Sequence, residues 1–330
     1  MLLAEFLPPR PTPLWTMANQ LGVTHAVSSV PGYRRDDADA KPRLAALREQ
    51  KQRFADHHIE LLVLETAFPM LVDTKIAKLG ATADREIEEA QRLVRDMGEA
   101  GVTVACWNWM AVFNWTRSVL DQETRGGARV TAYNHAVMSK EPDAVETPIS
   151  EQQLWEGMHR FLEAIVPVAE SAGVTLALHP DDPPISPIRG VSRIITSPDA
   201  LQRVLDMTPS PANQLTFCQG TIATMGADVP AEIRRFGSQK KIGFVHFRDV
   251  QGTPDDFAET FHDDGQTDMA AAMDAYYEVG FDGPVRPDHV PTMAGEALRE
   301  PGYDMMGRLY AIGYVRGLQQ ATARRYQTAR

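Results

Sequence analysis

Residues 241–250 read KIGFVHFRDV, a short apolar run with a histidine at its next-to-last position, followed by Arg248 and Asp249. Three further segments have the same form, an apolar or β-branched run that ends in a side chain able to bind a metal ion: TLALHPDDPP (175–184), QLTFCQGT (214–221) and GPVRPDHVPT (283–292). Runs of this length and composition are typical of buried strands in a parallel sheet. The four segments therefore predict four strands, each with a chemically useful residue at its carboxyl end.

Similar runs occur along the whole chain, separated by segments with helical periodicity. The eight predicted strands are Leu2–Leu7, Thr24–Val30, Ile59–Glu65, Val102–Trp107, Val174–His179, Gln214–Cys218, Ile242–Phe247 and Gly283–Asp288. Two of the helical segments end at Ala100-Gly101 and Ala172-Gly173, a typical helix stop before a strand. No G-x-G-x-x-G motif follows the first strand, which counts against a dinucleotide-binding sheet. Eight strands alternating with helices predict an α/β fold, a (β/α)8 TIM barrel.

Two intervals, after predicted strands four and seven, are too long for simple connections. Residues 117–148 and 250–268 are polar and rich in turn formers. They lie at βα positions, the face where barrel enzymes carry their active sites, so we expect lids or substrate walls there. No internal repeat or linker interrupts the chain. We therefore expect a single barrel domain over residues 1–330, with a basic helical tail from about residue 316.

The composition excludes several classes of protein. The 330 residues are 43% hydrophobic and 23% charged, as in an ordinary globular protein. The net charge of −11 argues against partners such as nucleic acid or an anionic membrane. Two cysteines, Cys106 and Cys218, make no disulfide framework and suit a reducing compartment. The first residues lack the basic region of a signal peptide, and no apolar stretch reaches the roughly 18 residues that span a bilayer, so we expect a cytoplasmic protein.

The four residues at the strand ends form a candidate metal site. His179, Cys218, His246 and Asp288 close the last four predicted strands, whose carboxyl ends line one arc of a barrel mouth. Two imidazoles, a thiolate and a carboxylate are a ligand set for a divalent transition metal. The thiolate favours Zn²⁺ or Fe²⁺, and the carboxylate also admits Mn²⁺. Tetrahedral coordination by all four residues would close a structural zinc site, whereas octahedral coordination leaves two positions for substrate or water.

The same segments closely resemble those of the D-mannonate dehydratases, a metal-dependent family of the xylose-isomerase-like barrel group. The resemblance runs from about Val102 to Leu318 and rests on motifs in the same order at comparable spacing. These motifs are CWNWMAVFNWTRSVL (106–120), LHPDDPP (178–184), TFCQGT (216–221), FVHFRDV (244–250), PVRPDHVPTM (284–293) and GYDMMGRLYAIGYVRGL (302–318). The first strand departs from the family, which usually opens with an Arg-Trp-Tyr-Gly-like segment where this chain has LLAEFLPPRPTPLWTM (2–17).

The resemblance implies a lyase of hexuronate catabolism that removes water from D-mannonate to give 2-keto-3-deoxy-D-gluconate. It implies Mn²⁺ or Fe²⁺ as cofactor, with ligands at the four positions named above, and a homo-oligomer, a dimer or tetramer. The family's acid/base pair corresponds to His289 and Tyr303. The sequence leaves open which of the two is the acid and which is the base.

Substrate contacts are predicted at Asn108, directly after strand four, and at Arg248, on the same side of strand seven as His246. Two roles fit Arg248: a bidentate contact to a substrate carboxylate, or a salt bridge to an acid of a neighbouring strand. Glu259 and His262 lie in the second insertion and are expected in a solvated loop.

Two other functions fit a metal-binding barrel of this group. One is an aldose–ketose isomerase or epimerase, which typically has a carboxylate-rich metal site. The thiolate candidate and the Pro-Asp-His element at 287–289 point away from it. The other is a non-catalytic, metal-stabilised sugar-acid binding protein. Fold analogy alone would not choose between them.

Overall fold

The computed structural model describes residues 1–31, 44–68 and 81–328. Their strands, in chain order, are β1 (Leu2–Phe6), β2 (His25–Ser28), β3 (Glu60–Glu65), β4 (Val104–Asn108), β5 (Val119–Glu123), β6 (Arg129–Asn134), β7 (Thr175–His179), β8 (Asn213–Cys218), β9 (Ile242–Phe247), β10 (Val250–Thr253), β11 (Asp256–Glu259) and β12 (Pro284–Pro287). Eight of them close into a parallel barrel in the order β1-β12-β9-β8-β7-β4-β3-β2. The predicted TIM barrel is therefore confirmed, with each of its eight strands shifted by a residue or two at most at each end.

The helices of the described residues are α1 (Pro13–Gln20), α2 (Leu44–Ala55), α3 (Ala81–Ala100), α4 (His135–Met138), α5 (Glu151–Ala172), α6 (Pro198–Met207), α7 (Gln219–Thr224), α8 (Val229–Ser238), α9 (Met269–Glu278) and α10 (Met305–Thr328). Helix α5 begins with a capping box between Ser150 and Gln153. Gly101 and Gly173 follow α3 and α5 with φ values of 71° and 67°. Both predicted stops are confirmed, because glycine enters this left-handed region without a steric penalty.

The core has an inner and an outer part. A small cluster fills the barrel, drawn from alternate positions of its strands: Ala4, Val27, Val63, Val104, Cys106, Ala177 and Phe244. The outer cluster packs the opposite faces of the strands against the helices. Strands buried on both faces explain the nearly continuous apolar runs in the sequence.

The two predicted insertions form one structure. Strands β5 and β6 from the first insertion and β10 and β11 from the second make a four-stranded antiparallel sheet in the order β10-β11-β6-β5. Its central pair aligns Tyr133 with Phe257 and Ala132 with Ala258. The insertions are therefore a rigid β-layer beside the barrel mouth rather than two separate loops.

No helix in the described ranges has both the length and the apolar character of a bilayer-spanning segment.

Candidate metal centre and active site

The strand register brings the predicted ligands to one place at the carboxyl end of the barrel. Cys218 pairs with His246 across β8 and β9, and Arg286, two residues before Asp288, pairs with His246 across β9 and β12. The ligand atoms of His179, Cys218 and His246 all lie within 4.8 Å of one another. Asp288 joins them through Oδ2, which is 3.4 Å from His246 Nδ1. We call these four residues the ligand cluster.

The ligand cluster has bonding capacity that the protein leaves unused. Both ring nitrogens of His246 are buried, and neither has a hydrogen-bond partner among the described residues. Nδ1 of His179 lies 2.7 Å from the Pro180 carbonyl oxygen, which can only accept, so Nδ1 carries the hydrogen and Nε2 keeps its lone pair. Buried polar atoms without a partner are rare and call for a ligand or water. Two imidazoles, a thiol and a carboxylate fit a divalent transition metal.

The charges around the ligand cluster favour the anionic, metal-binding forms of Cys218 and Asp288. Burial raises the pKa of the Cys218 thiol, but the Arg248 guanidinium, whose Nε donates to Sγ at 3.2 Å, together with His179, brings that pKa well below its usual value. Burial likewise raises the pKa of Asp288, and His289, Arg286 and His246 outweigh it and lower that pKa. Both groups are therefore held as anions. Burial and Arg286 lower the pKa of His246, but Asp288 and Glu65 outweigh them and raise it well above its usual value.

Glu65, at the end of β3, supports the ligand cluster from its far side. Its carboxylate accepts from Arg286 at 2.7 and 3.0 Å, and Oε2 lies 3.6 Å from His246 Nε2. Arg286 also reaches Asp288 Oδ1 at 3.0 Å. Burial opposes ionisation of Glu65, but Arg286 and His246 lower its pKa to about 2. The sequence prediction missed Glu65, although its position at the end of a predicted strand was the available signal.

Tyr303 and His289 lie side by side next to Asp288. The Tyr303 hydroxyl donates to Asp288 Oδ1 at 3.1 Å, and the two rings meet edge to face with centroids 5.3 Å apart. Burial and the Asp288 charge raise the pKa of Tyr303 well above 10, so the phenol keeps its proton.

A Cβ on Gly307 would lie 2.1 Å from the Pro291 carbonyl oxygen, so glycine is required where α10 packs against the segment that follows His289.

A second buried group, which we call the ionic cluster, adjoins His289. Arg117 binds Asp182 through two hydrogen bonds of 2.7 and 3.0 Å and Glu259 through one of 2.6 Å. Arg248 binds both Glu259 oxygens at 2.5 and 2.7 Å and Asp182 at 2.6 Å. Each carboxylate oxygen therefore accepts at least one charged hydrogen bond. The cluster joins the antiparallel sheet to the ends of β7 and β9.

The structure corrects one expectation from the sequence. The solvated loop predicted for Glu259 and His262 is wrong, because their exposed fractions are 1% and 0%. Glu259 is buried because two guanidinium groups compensate its charge, which a local reading of a polar segment cannot reveal. Arg248 makes the salt bridges that the sequence offered as one of its two roles, to Asp182 and Glu259, and its contact to a substrate carboxylate stays a prediction.

Asn108 lies at the rim of the cavity that the ligand cluster opens into. Its amide donates to Asn114 Oδ1 at 3.0 Å and accepts from the Met110 amide at 3.1 Å. This inner cavity is lined by three members of the ligand cluster, by Asp182 of the ionic cluster and by His289, Tyr303, Trp115 and Asn108. A larger cavity of 860 Å³ shares Glu65, Trp115 and Tyr303 with it and leads outward.

Known proteins share this arrangement of sequence and fold. The model of the D-mannonate dehydratase (UxuA) family matches residues 19–147 and 142–329, so the match begins well before Val102, where the sequence motifs begin. Mannonate dehydratase 2 of Halalkalibacterium halodurans is 36% identical over 310 residues, covering 86% of this chain and 88% of that protein. The mannonate dehydratase of Thermotoga maritima is 34% identical over 280 residues, covering 74% and 77%.

Solved structures agree with these relatives. The crystal structure of mannonate dehydratase from Streptococcus suis serotype 2 has a TM-score of 0.90 and 30% identity, and covers 99% of this chain and 96% of that one. A structure of L-ribulose 3-epimerase has a TM-score of 0.60 and 17% identity over 95% of this chain and 90% of that one, a likeness that shows the fold alone. The matched residues and their identity establish that this chain belongs to the D-mannonate dehydratase family.

Proposed function

We propose that the protein is a hydro-lyase that converts D-mannonate into 2-keto-3-deoxy-D-gluconate and water. The observation that carries this proposal is the ligand cluster with unused bonding capacity, set directly beside His289 and Tyr303 in one cavity. Membership of the mannonate dehydratase family supplies the substrate, a sugar acid.

The reaction requires two proton transfers and a stabilised carboxylate. The C2–H bond breaks, its electron pair becomes the C2–C3 double bond, and the C3 hydroxyl leaves as water after receiving a proton. The resulting enol becomes the 2-keto acid when a proton is lost from the C2 hydroxyl and another is added at C3. We propose that His289 and Tyr303 supply the base and the acid, since they line the cavity side by side.

We propose Mn²⁺ or Fe²⁺ as the bound ion, held by His179, Cys218, His246 and Asp288. When bound, the ion supplies Lewis acidity that stabilises negative charge developing on the substrate carboxylate. No arginine is among the described residues that line the inner cavity, and the two nearest the ligand cluster on its ionic side, Arg117 and Arg248, are paired with Asp182 and Glu259. The protein's own part is to hold the thiolate and the carboxylate as anions and to fix the imidazoles.

The cellular setting follows from the ligand chemistry. Cys218 is free and buried, and a thiolate ligand must stay reduced. We therefore propose a cytoplasmic location. From the family resemblance we also propose a role in hexuronate catabolism and a homo-oligomeric state. Sedimentation of the purified protein would test the oligomeric state.

The test is turnover of defined aldonic acids. Metal-free protein is reloaded anaerobically with Mn²⁺, Fe²⁺ or Zn²⁺ and incubated with D-mannonate or its C2 epimer D-gluconate, and release of a 2-keto-3-deoxy acid is followed. We expect turnover of D-mannonate, and a loss in His289→Ala and Tyr303→Phe of about 10²–10⁴-fold in kcat, the usual contribution of one acid or base. In deuterated water, the variant that still exchanges the C2 hydrogen retains the base and lacks the acid.

Tyr310→Phe is the matched control, because Tyr310 packs on Phe261 outside the inner cavity. Full activity in both site variants, or no turnover of D-mannonate with any of the three ions bound, would contradict the proposal.

A further inference from the structure

Glu259 makes the contact that decides how His289 is oriented. Its Oε1 lies 2.8 Å from His289 Nδ1, and the same oxygen accepts from Arg117 at 2.6 Å and Arg248 at 2.5 Å. The side chains of Glu259 and His289 are 1% and 3% exposed. The contact is thus buried, short and shared with two permanent cations.

The hydrogen at this contact can belong only to the imidazole. Two guanidinium groups, which stay protonated in proteins, point at the Glu259 carboxylate and hold it as an anion that can only accept. Arg117 Nη2 also lies 3.4 Å from His289 Nδ1, but the contact of Nδ1 with the anionic Glu259 oxygen is shorter, at 2.8 Å, and requires Nδ1 to be the donor. The neutral ring then has its lone pair on Nε2, and the charged ring has a second hydrogen there. Proton exchange with a ligand in the cavity is thereby assigned to Nε2.

The support behind Glu259 is rigid. Glu259 ends β11, where its backbone pairs with Val250 of β10, and β11 in turn pairs with β6. Arg117 is held over the rings of Trp115 and Phe257 at 5.3 and 4.9 Å from their centroids. The antiparallel sheet therefore fixes both the carboxylate and the arginine that charges it.

We infer that Glu259 is a positioning residue that acts through His289, fixing its Nδ1–H tautomer so that Nε2 serves the reaction. The inference rests on the proposed function for its catalytic consequence, but the tautomer itself is a property of the resting protein. The inference also gives the second insertion a function, because its strand β11 carries the carboxylate that orients His289.

Two substitutions at Glu259 separate hydrogen bonding from charge. In Glu259→Gln, the carbonyl oxygen can occupy the Oε1 position, which faces three donors, and the amide nitrogen the Oε2 position, which faces only Arg248. Gln therefore keeps the acceptor for Nδ1–H while losing the charge. Glu259→Met has a similar shape and removes both.

The first readout is the tautomer of His289, measured by ¹⁵N-edited NMR on the imidazole nitrogens, with His289→Ala identifying the signals. We expect Nδ1–H in the wild-type protein and in Glu259→Gln. In Glu259→Met we expect the Nε2–H form to appear. An unchanged Nδ1–H tautomer in Glu259→Met would overturn the inference, whether or not the protein turns over D-mannonate.

The second readout is the steady-state kinetics with D-mannonate, after equal metal content and cooperative unfolding have been checked in each variant. We expect kcat of Glu259→Met to fall about 10²-fold with KM nearly unchanged, and Glu259→Gln to lose less. In the His289→Ala background, Glu259→Met should lower kcat by no more than about 2-fold, because the effects of mutating residues that act as a unit are not additive. An equal loss in both backgrounds would show a structural role and overturn the inference.

Glu5→Met is the matched control. Glu5 is also a 1% exposed glutamate paired with an arginine, Arg308, but it lies on β1 away from the inner cavity. We expect it to lower stability and leave kcat within about 2-fold, since it touches neither His289 nor the ligand cluster. A wild-type protein without turnover would refute the proposed function while leaving the NMR result to decide on Glu259.

Discussion

The ligand cluster and the ionic cluster lie next to each other at the same barrel rim, and of their residues only His179 is partly exposed. They differ in how many of their polar atoms have hydrogen-bond partners in the protein. In the ionic cluster, every carboxylate oxygen of Asp182 and Glu259 accepts a hydrogen bond from a guanidinium group. In the ligand cluster, neither ring nitrogen of His246 makes a hydrogen bond to a described residue, although Asp288 and Glu65 lie 3.4 and 3.6 Å away.

This difference separates a scaffold from a binding site. A buried polar group without a partner costs about 1–3 kcal/mol, so the ligand cluster lowers stability until something binds it. The ionic cluster needs no ligand, and removing one member would strand the charge of another. The two sets should therefore respond differently to mutation. The first should lose metal binding and activity with little loss of stability, and the second should lose stability, with activity affected through the contact of Glu259 with His289.

The largest expected effect is on the ligand cluster. His179→Ala removes a lone pair that faces Cys218 and His246, and we expect loss of metal binding and a fall in kcat of about 10³-fold or more, since the Lewis acid is worth several kcal/mol. Added Mn²⁺ should raise the Tm of the wild-type protein but not of the variant.

His159→Ala is the control for this experiment, because His159 is half exposed on α5 and faces Glu163. If His179→Ala bound Mn²⁺ as tightly as the wild-type protein, the ligand cluster would not be the metal site.

The next effect concerns the ionic cluster. Arg117→Met leaves Asp182 and Glu259 to share Arg248 alone, and we expect the free energy of unfolding to fall by about 3–5 kcal/mol in urea titrations of the metal-free protein. Arg129→Met, which breaks an exposed 3.6 Å pair with Asp121, should cost about 0–1 kcal/mol. Similar losses of unfolding free energy in Arg117→Met and Arg129→Met would contradict the conclusion that the ionic cluster stabilises the fold.

A smaller effect, on metal affinity, is expected at Glu65, which is hydrogen-bonded like the ionic cluster and lies beside the ligand cluster. This carboxylate is satisfied by Arg286 and also faces His246. Glu65→Gln should weaken metal affinity about 10–100-fold, the usual range for groups that orient a metal ligand, with little change in unfolding of the metal-free protein. Metal competition with a fluorescent chelator measures this, and Glu60→Gln, an exposed position on the same strand, should leave affinity unchanged.

The barrel and the positions of the predicted ligands could be read from the sequence because their signals are local. An apolar run followed by His179 or His246 indicates a buried strand and its end without knowledge of its neighbours. Parallel closure then brings all strand ends to one face, whatever their separation in the chain. The same reasoning could have included Glu65, which ends β3.

The antiparallel sheet and the burial of Glu259 could not be predicted in this way. Strands such as VLDQE (119–123) and DFAE (256–259) are short and polar, and only pairing with a distant segment makes them strands. A charged residue in such a segment is normally solvated. Burial of Glu259 depends on Arg117 and Arg248, which are 142 and 11 residues away in the sequence. No helix or strand periodicity predicts contacts at these separations.

The sheet that joins the two insertions also sets the order in which the protein can mature. Arg117 and Glu259 are 142 residues apart, whereas Arg117 and Asp182 are 65 apart. At roughly 5–20 residues per second, a ribosome needs about 7–30 s to make the stretch between Arg117 and Glu259. For most of this time the nascent chain has only Arg117 and Asp182 of the ionic cluster, because Arg248 is made just 11 residues before Glu259. Closing so long a loop is intrinsically slow. The contact that we propose to orient His289 therefore forms late, after most of the barrel has been synthesised.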